Sequence, residues 1–156
     1  KVTTERASAR CECGEFLTVG ALTEINHGDW EGRLADEIAA EWPEELRKWH
    51  VAPETVTMPG AGGENLADIM RRDAPAVDGA AKRYKGDVLL ASHDAVIKVL
   101  LCYWLGAPLS SFFRFQVPNC SITVVEIQEG SAPRMLLMGD AAHLGDPFER
   151  PEQKGL

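Results

Sequence analysis

Two short segments of this sequence carry residue types whose spacing suits chemistry. In the first, Ser92-His93-Asp94 follows the apolar run Asp87-Val-Leu-Leu-Ala and precedes the apolar stretch Val96 to Leu105. That order reads as strand, tight loop, helix. A histidine at the carboxyl end of a central strand lies at the mouth of the crevice where open α/β sheets bind ligands. The free amides and dipole of the following helix make the same spot attractive to an anion. Taken alone, the histidine could equally do no more than cap the loop. The second segment, Leu22-Thr-Glu-Ile-Asn-His-Gly-Asp-Trp-Glu-Gly32, interleaves three acids with two glycines and an aromatic. A glycine-punctuated acidic loop can set a carboxylate at a pocket rim, where a raised pKa makes it a general acid. A solvated charged turn is the plainer reading of that segment by itself.

The elements that must position these segments follow from periodicity. Leu34, Ile38 and Trp42 recur every four residues and predict a helix, which Pro43 stops or restarts. Met58-Pro-Gly-Ala-Gly-Gly63 is a loop by composition. From Glu64 onward, Leu66, Ile69, Met70, Ala74, Val77 and Ala81 mark one face of a longer helix. Arg71, Arg72, Asp73 and Asp78 fall mostly off that face, and Pro75 is a candidate kink or break. The apolar run ending at Ser92 reads as a central, parallel strand. Ser121-Ile-Thr-Val-Val-Glu-Ile127 and Met135-Leu-Leu-Met138 predict two more strands around a turn at Gln128–Pro133. Residues 145–156 read as a loose tail. No internal repeat or long linker divides residues 1–156, so one α/β domain is expected.

Composition narrows the function classes. With 156 residues, 24 acids against 16 Lys+Arg and a net charge of −8, the chain is not built as a general nucleic-acid or anionic-membrane binder. A local basic pocket for one phosphorylated ligand stays compatible with that balance. A chain of this length buries roughly 70% of its extended surface, so no disulfide or metal staple is needed. No apolar run reaches the roughly 18 residues of a membrane span. Cys11, Cys13, Cys102 and Cys120 form no Cys-x-x-Cys pair; Cys102 reads as a small buried hydrophobe, and Cys11-Glu-Cys13 is at best half a metal site. No apolar leader follows Lys1, and a reducing cytoplasm is the default expectation.

Taken together, four segments in order make the chain resemble the histidine phosphatase superfamily, in its phosphoglycerate-mutase-like branch. The acid loop Leu22 to Gly32 resembles the family's Leu-x-Glu followed by Gly-x-Trp-Glu-Gly. Pro59-Gly-Ala-Gly-Gly-Glu64 resembles its Pro-x-Gly-Glu-Ser helix start, with Asn65 in the serine's place. Val88-Leu-Leu-Ala-Ser-His-Asp-Ala-Val-Ile-Lys98 resembles the strand bearing its second catalytic histidine, with Asp94 where glycine is usual. Asn119-Cys-Ser-Ile-Thr-Val and Gly139-Asp-Ala-Ala-His-Leu144 resemble its C-terminal strands. The resemblance implies a three-layer α/β/α sandwich with a mostly parallel sheet. It also implies a phosphomonoester hydrolase working through a phosphohistidine on a small phosphorylated metabolite. By position, His93 would be the second histidine on the phosphoryl group and Glu24 the proton donor to the leaving oxygen. No metal and no other cofactor is implied, because arginine and histidine neutralise the phosphoryl charge.

The departures are as specific as the matches. The family's nucleophile lies in an Arg-His-Gly motif after the first strand, and this sequence contains no such tripeptide. Asn26-His27-Gly28 lacks both the arginine and a preceding apolar strand, so it is rejected as the nucleophile. His27 is instead expected at the pocket rim, and His143 is expected to be structural or to line the pocket. The missing strand and return helix would amount to about 30 residues, so the chain is expected to be N-terminally incomplete. For the family's second phosphate-binding arginine, Val2-Thr-Thr-Glu-Arg-Ala-Ser-Ala-Arg10 offers Arg6, favoured by its Arg-Ala pair, with Arg10 close behind. Glu64 reads as a helix-start acid, His50 as a surface histidine, and Trp30, Trp42, Trp49 and Trp104 as core. The expected partner is a small phosphorylated substrate, not nucleic acid or membrane; a homodimer is left open. Two other readings stand beside the phosphatase: an inactive phosphatase-like module that binds a phosphorylated ligand or a protein, and, ranked lower, phosphoglycerate-mutase-type phosphoryl transfer.

Overall fold

The structure is a computed structural model and describes residues 15–145. Its helical half is built around buried apolar stripes. Helix α1 (Ala35–Glu41) buries Ile38, and Glu37 accepts a hydrogen bond from the amide of its N-cap, Leu34, at 2.9 Å. Leu34 was expected on the buried stripe but lies outside the helix and is 70% exposed. Pro43 does restart the chain: it is the first residue of α2 (Pro43–Val51), where a missing N–H costs nothing because first-turn amides have no helical partner. Trp49 of α2 packs against Phe112 and Phe113, with ring centroids 5.4 and 5.5 Å apart.

Helix α3 (Leu66–Arg83) buries Leu66, Ile69, Asp73, Ala74 and Val77. Asn65 caps it reciprocally: its side chain accepts from the amide of Asp68 at 3.0 Å, and Asp68 accepts from the amide of Asn65 at 3.1 Å. Asparagine and serine are both strong N-caps, which explains how Asn65 replaces serine in this motif. Pro75 neither ends nor divides the helix, for its ring lies on the exposed side.

Helix α4 (Asp94–Leu105) packs on α3, and their facing residues Leu66, Ile69, Val77, Val96, Val99 and Leu100 belong to one core cluster. It ends at Gly106, whose φ of +61° is the left-handed C-terminal conformation that glycine adopts without a Cβ penalty. Trp30 and Trp49 are fully buried and Trp42 and Trp104 pack half-buried against the same cluster, so all four tryptophans are core as read.

The sheet departs from expectation. Strands β1 (Ile122–Glu126) and β2 (Arg134–Asp140) form an antiparallel pair, with Val124 opposite Leu137 and Glu126 opposite Arg134. They are the only sheet among the described residues, so a mostly parallel sheet is not observed there. Residues 87–92, expected as a central strand, pair with no described strand, and Val88, Leu89 and Leu90 are exposed. The physical reason is that strand character is non-local: an apolar run becomes a strand only when a neighbour lies about 4.8 Å away to take its backbone groups. No described helix is long and apolar enough to cross a membrane.

Candidate active site

Hydrogen bonds from segments distant in sequence tie the acid loop to the rest of the fold. The hydroxyl of Ser92 donates to the carbonyl of Leu22 at 2.9 Å, joining the segment before His93 to the segment before Glu24. Asn26 and Glu64 bind reciprocally: the Asn26 amide donates to Glu64 Oε2 at 2.9 Å, and the Glu64 amide donates to the Asn26 carbonyl at 3.0 Å. The Asp29 amide donates to the carbonyl of Pro59 at 2.8 Å. The acid loop therefore lies on the Pro59–Gly63 loop, and two glycines make the approach close enough. Gly28, at φ +58°, would place a Cβ 1.9 Å from the Pro59 carbonyl oxygen. Gly60, at φ +87°, would place one 2.1 Å from Asp29 Oδ1.

Glu24 is half-buried, and its Oε1 accepts from the amide of Ile25 at 2.9 Å. His93 is the exposed N-cap of α4 in extended backbone, and its imidazole makes no capping hydrogen bond. The plain reading of His93 as a loop cap is thus not what its side chain does. Asp94, which stands where the family has glycine, accepts from Lys98 Nζ at 2.7 Å. Lys98 is itself buried under Phe112, its ammonium 5.2 Å from the ring centroid.

The remaining expected site residues are spread more widely. His27 is half-buried inside the acid loop, at φ −77° and ψ 2°, and no described strand precedes it. His143 sits exposed in the turn after β2, and no hydrogen bond ties its side chain to the acid loop among the described residues. His50 is exposed on α2, 5.7 Å from the ring of Phe113. Arg6 and Arg10, the expected phosphate ligands, lie outside the described residues.

Sequence reasoning missed the polar core beneath the loop. Arg72 grips Glu64 with both ends of its fork, Nε to Oε1 at 2.8 Å and Nη2 to Oε2 at 3.1 Å. Its Nη1 bonds Asp73 Oδ1 at 2.8 Å and also the carbonyl of Ala21, while Nη2 reaches the carbonyl of Glu24 at 3.4 Å. Asp73 is fully buried. Burial pushes its carboxyl up to about 6; Arg72 opposes that shift, and Glu64 and Glu24 add to it. For Glu64, burial alone would raise the pKa, but the bonds from Arg72 and the Asn26 amide prevail and hold it below the usual range. The available signal was Asp73's place between Ile69 and Val77 on a four-residue spacing, which puts a carboxylate on the buried face of α3.

The fold, with its acid loop docked against the loop that leads into α3, is that of the phosphoglycerate-mutase-like α/β phosphatases. The histidine phosphatase superfamily (branch 1) model matches residues 1–141, and the chain belongs to that superfamily. Phosphoserine phosphatase 1 of Hydrogenobacter thermophilus is 31% identical over 85% of this chain and 62% of its own length. A probable phosphoglycerate mutase GpmB of Yersinia pestis is 33% identical over 86% of this chain and 65% of its own. The chain thus spans just under two thirds of those curated relatives. The solved structure of Bacillus stearothermophilus YhfR superposes with a TM-score of 0.74 at 29% identity, covering 81% of this chain and 62% of that one. Phosphoserine phosphatase from Entamoeba histolytica, solved with phosphoserine, shares the fold at a TM-score of 0.73 and 21% identity, over 92% of this chain and 70% of that one.

Proposed function

We propose that residues 1–156 form one histidine-phosphatase domain, and that the protein carrying it hydrolyses small phosphomonoesters through a phosphohistidine intermediate. The observation that carries this reading is the Ser92–Leu22 hydrogen bond, which holds the segment of His93 beside the segment of Glu24. Family membership and the phosphatase relatives support it. In this reading residues 87–92 serve as the central strand of the family's larger, mostly parallel sheet.

The chemistry divides one hard displacement into two easier ones. A histidine nitrogen attacks phosphorus while the bond from phosphorus to the ester oxygen breaks. Glu24, protonated at that moment, gives its proton to the departing oxygen. Water then attacks the phosphohistidine, surrenders its proton to the Glu24 carboxylate and releases inorganic phosphate, leaving the imidazole neutral. His93 donates a hydrogen bond to the phosphoryl oxygens in both steps, at the end of a helix whose first-turn amides favour an anion. Arg6, or Arg10 after it, supplies a further positive charge. No residue of this sequence is assigned the attack itself, because Arg-His-Gly does not occur in it.

Phosphoserine phosphatase 1 and the Entamoeba enzyme point to small alkyl phosphates as the substrate class; a cytoplasmic setting suits them. Phosphoglycerate-mutase-type transfer remains the lower-ranked variant, since it requires a hydroxyl acceptor in place of water. A protein without Arg-His-Gly would instead be a module that binds phosphomonoesters without turning them over. Turnover of p-nitrophenyl phosphate and phosphoserine separates the two. We expect His93→Ala to lower kcat/KM by about 100-fold or more, the size of a lost oxyanion-type contact. Undiminished turnover would remove His93 from the site, and saturable binding without turnover would select the binding module.

A further inference from the structure

We infer that Arg72 and Glu64 are positioning residues for the proton donor, acting through the backbone of residues 21–26; this rests on the assignment of Glu24 proposed above. Arg72 has every edge of its guanidinium engaged. Nε and Nη2 meet Glu64, Nη1 meets Asp73, and the same two terminal nitrogens reach the carbonyls of Ala21 and Glu24. Glu64 passes the grip on, its Oε2 accepting the Asn26 amide. Glu24 therefore has its own carbonyl bonded on one side and the amide two residues on bonded on the other.

Nothing local to the acid loop could do this. It is glycine-punctuated and lies outside any α-helix or strand; its own bonds close only short turns, and the carbonyls of Ala21 and Glu24 find their partner on α3. Arg72 stands on α3 between buried Leu66 and Val77, and Glu64 leads into the same helix. A rigid, packed element thus sets where the donor sits. Both side chains are only 22% exposed, and the bidentate fork fixes direction as well as distance. A lysine at position 72 keeps the charge and loses the fork. The neighbouring Asp73 is bonded from one side by the same guanidinium and stiffens it.

The test compares Arg72→Lys and Glu64→Gln with Glu24→Gln on two substrates: phosphoserine, whose alkoxide leaving group needs a proton, and p-nitrophenyl phosphate, whose phenolate needs little. A displaced donor costs about 10-fold or more in kcat on phosphoserine and about 3-fold or less on p-nitrophenyl phosphate, with KM within about twofold on both. Equal losses on both substrates from Arg72→Lys and Glu64→Gln, where Glu24→Gln is selective, would overturn the inference. Should Glu24→Gln itself be unselective, the donor assignment fails, and amide hydrogen exchange decides the positioning claim without turnover. Exchange at residues 21–26 should rise about 10-fold or more in Arg72→Lys at an unchanged global melting temperature. Unchanged exchange there would overturn it.

Discussion

Ser92 donates its hydroxyl proton to the carbonyl of Leu22 at 2.9 Å, across 70 residues of sequence. This single bond ties the segment that ends in His93 to the segment that carries Glu24. Its removal in Ser92→Ala leaves a half-buried carbonyl unpaired and should cost about 1 kcal/mol in stability. Urea denaturation reads that loss directly. A variant as stable as the parent would show that water replaces the hydroxyl at no cost and that the bond does not hold the two segments together.

The loop contact predicts a sharper effect. Alanine at Gly28 would bring a methyl group to 1.9 Å from the Pro59 oxygen in a backbone region that L-residues rarely adopt. We expect Gly28→Ala to cost at least about 2 kcal/mol, the combined effect of strain and a displaced loop. Gly32→Ala is the control, since a Cβ there meets nothing within 4 Å and only its φ of +74° is strained. Thermal melts should rank Gly28→Ala well below Gly32→Ala; the reverse order would mean that the loops do not touch.

The cap of α3 is testable in the same way. Asn65→Ala should lose about 1 kcal/mol, whereas Asn65→Ser should be close to neutral because serine accepts the same amide. Equal destabilisation by both would show that the asparagine acts through some contact other than the cap.

The polar core makes stability depend on pH in two opposed ways. Asp73 has its folded pKa raised to about 6, above the unfolded value of about 3.9. The folded state then holds the extra proton between those values, so this group's contribution is largest at low pH and falls as pH rises from about 4 to about 6. Glu64 has its folded pKa lowered, so its contribution is present above the unfolded value and is lost as pH falls through the folded one. Relative to Asp73→Asn, the parent should therefore lose stability between about pH 4 and pH 6, by at most about 3 kcal/mol. Urea midpoints of the two proteins across that range check it; parallel profiles would contradict it.

What could be read beforehand, and what could not, follows from how local each signal is. The helix start at Glu64-Asn65, the interruption at Pro43 and the β1–β2 turn are written within a few adjacent residues, and each was legible. Pro75 was read as a candidate kink or break because the rule concerns the helix alone, whereas its ring here faces solvent and packing carries the helix through. Asp73 lay in plain sight on the Ile69–Val77 spacing, but charge was taken as a mark of the outer face. Arg72 could not be assigned in advance: its partners are one and eight residues away on one side and 48 and 51 on the other. The run at 87–92 was read as a strand from its apolar composition, but strand formation depends on neighbours, and among the described residues none pairs with it. The catalytic assignments of Glu24 and His93 came from motif resemblance, and the contact between their two segments came only from the fold.

The most direct test of the account is the leaving-group dependence of Glu24→Gln. If Glu24 protonates the departing oxygen, kcat on phosphoserine should fall by about 100-fold or more, while kcat on p-nitrophenyl phosphate falls far less. Equal losses on the two substrates, or none on either, would contradict it.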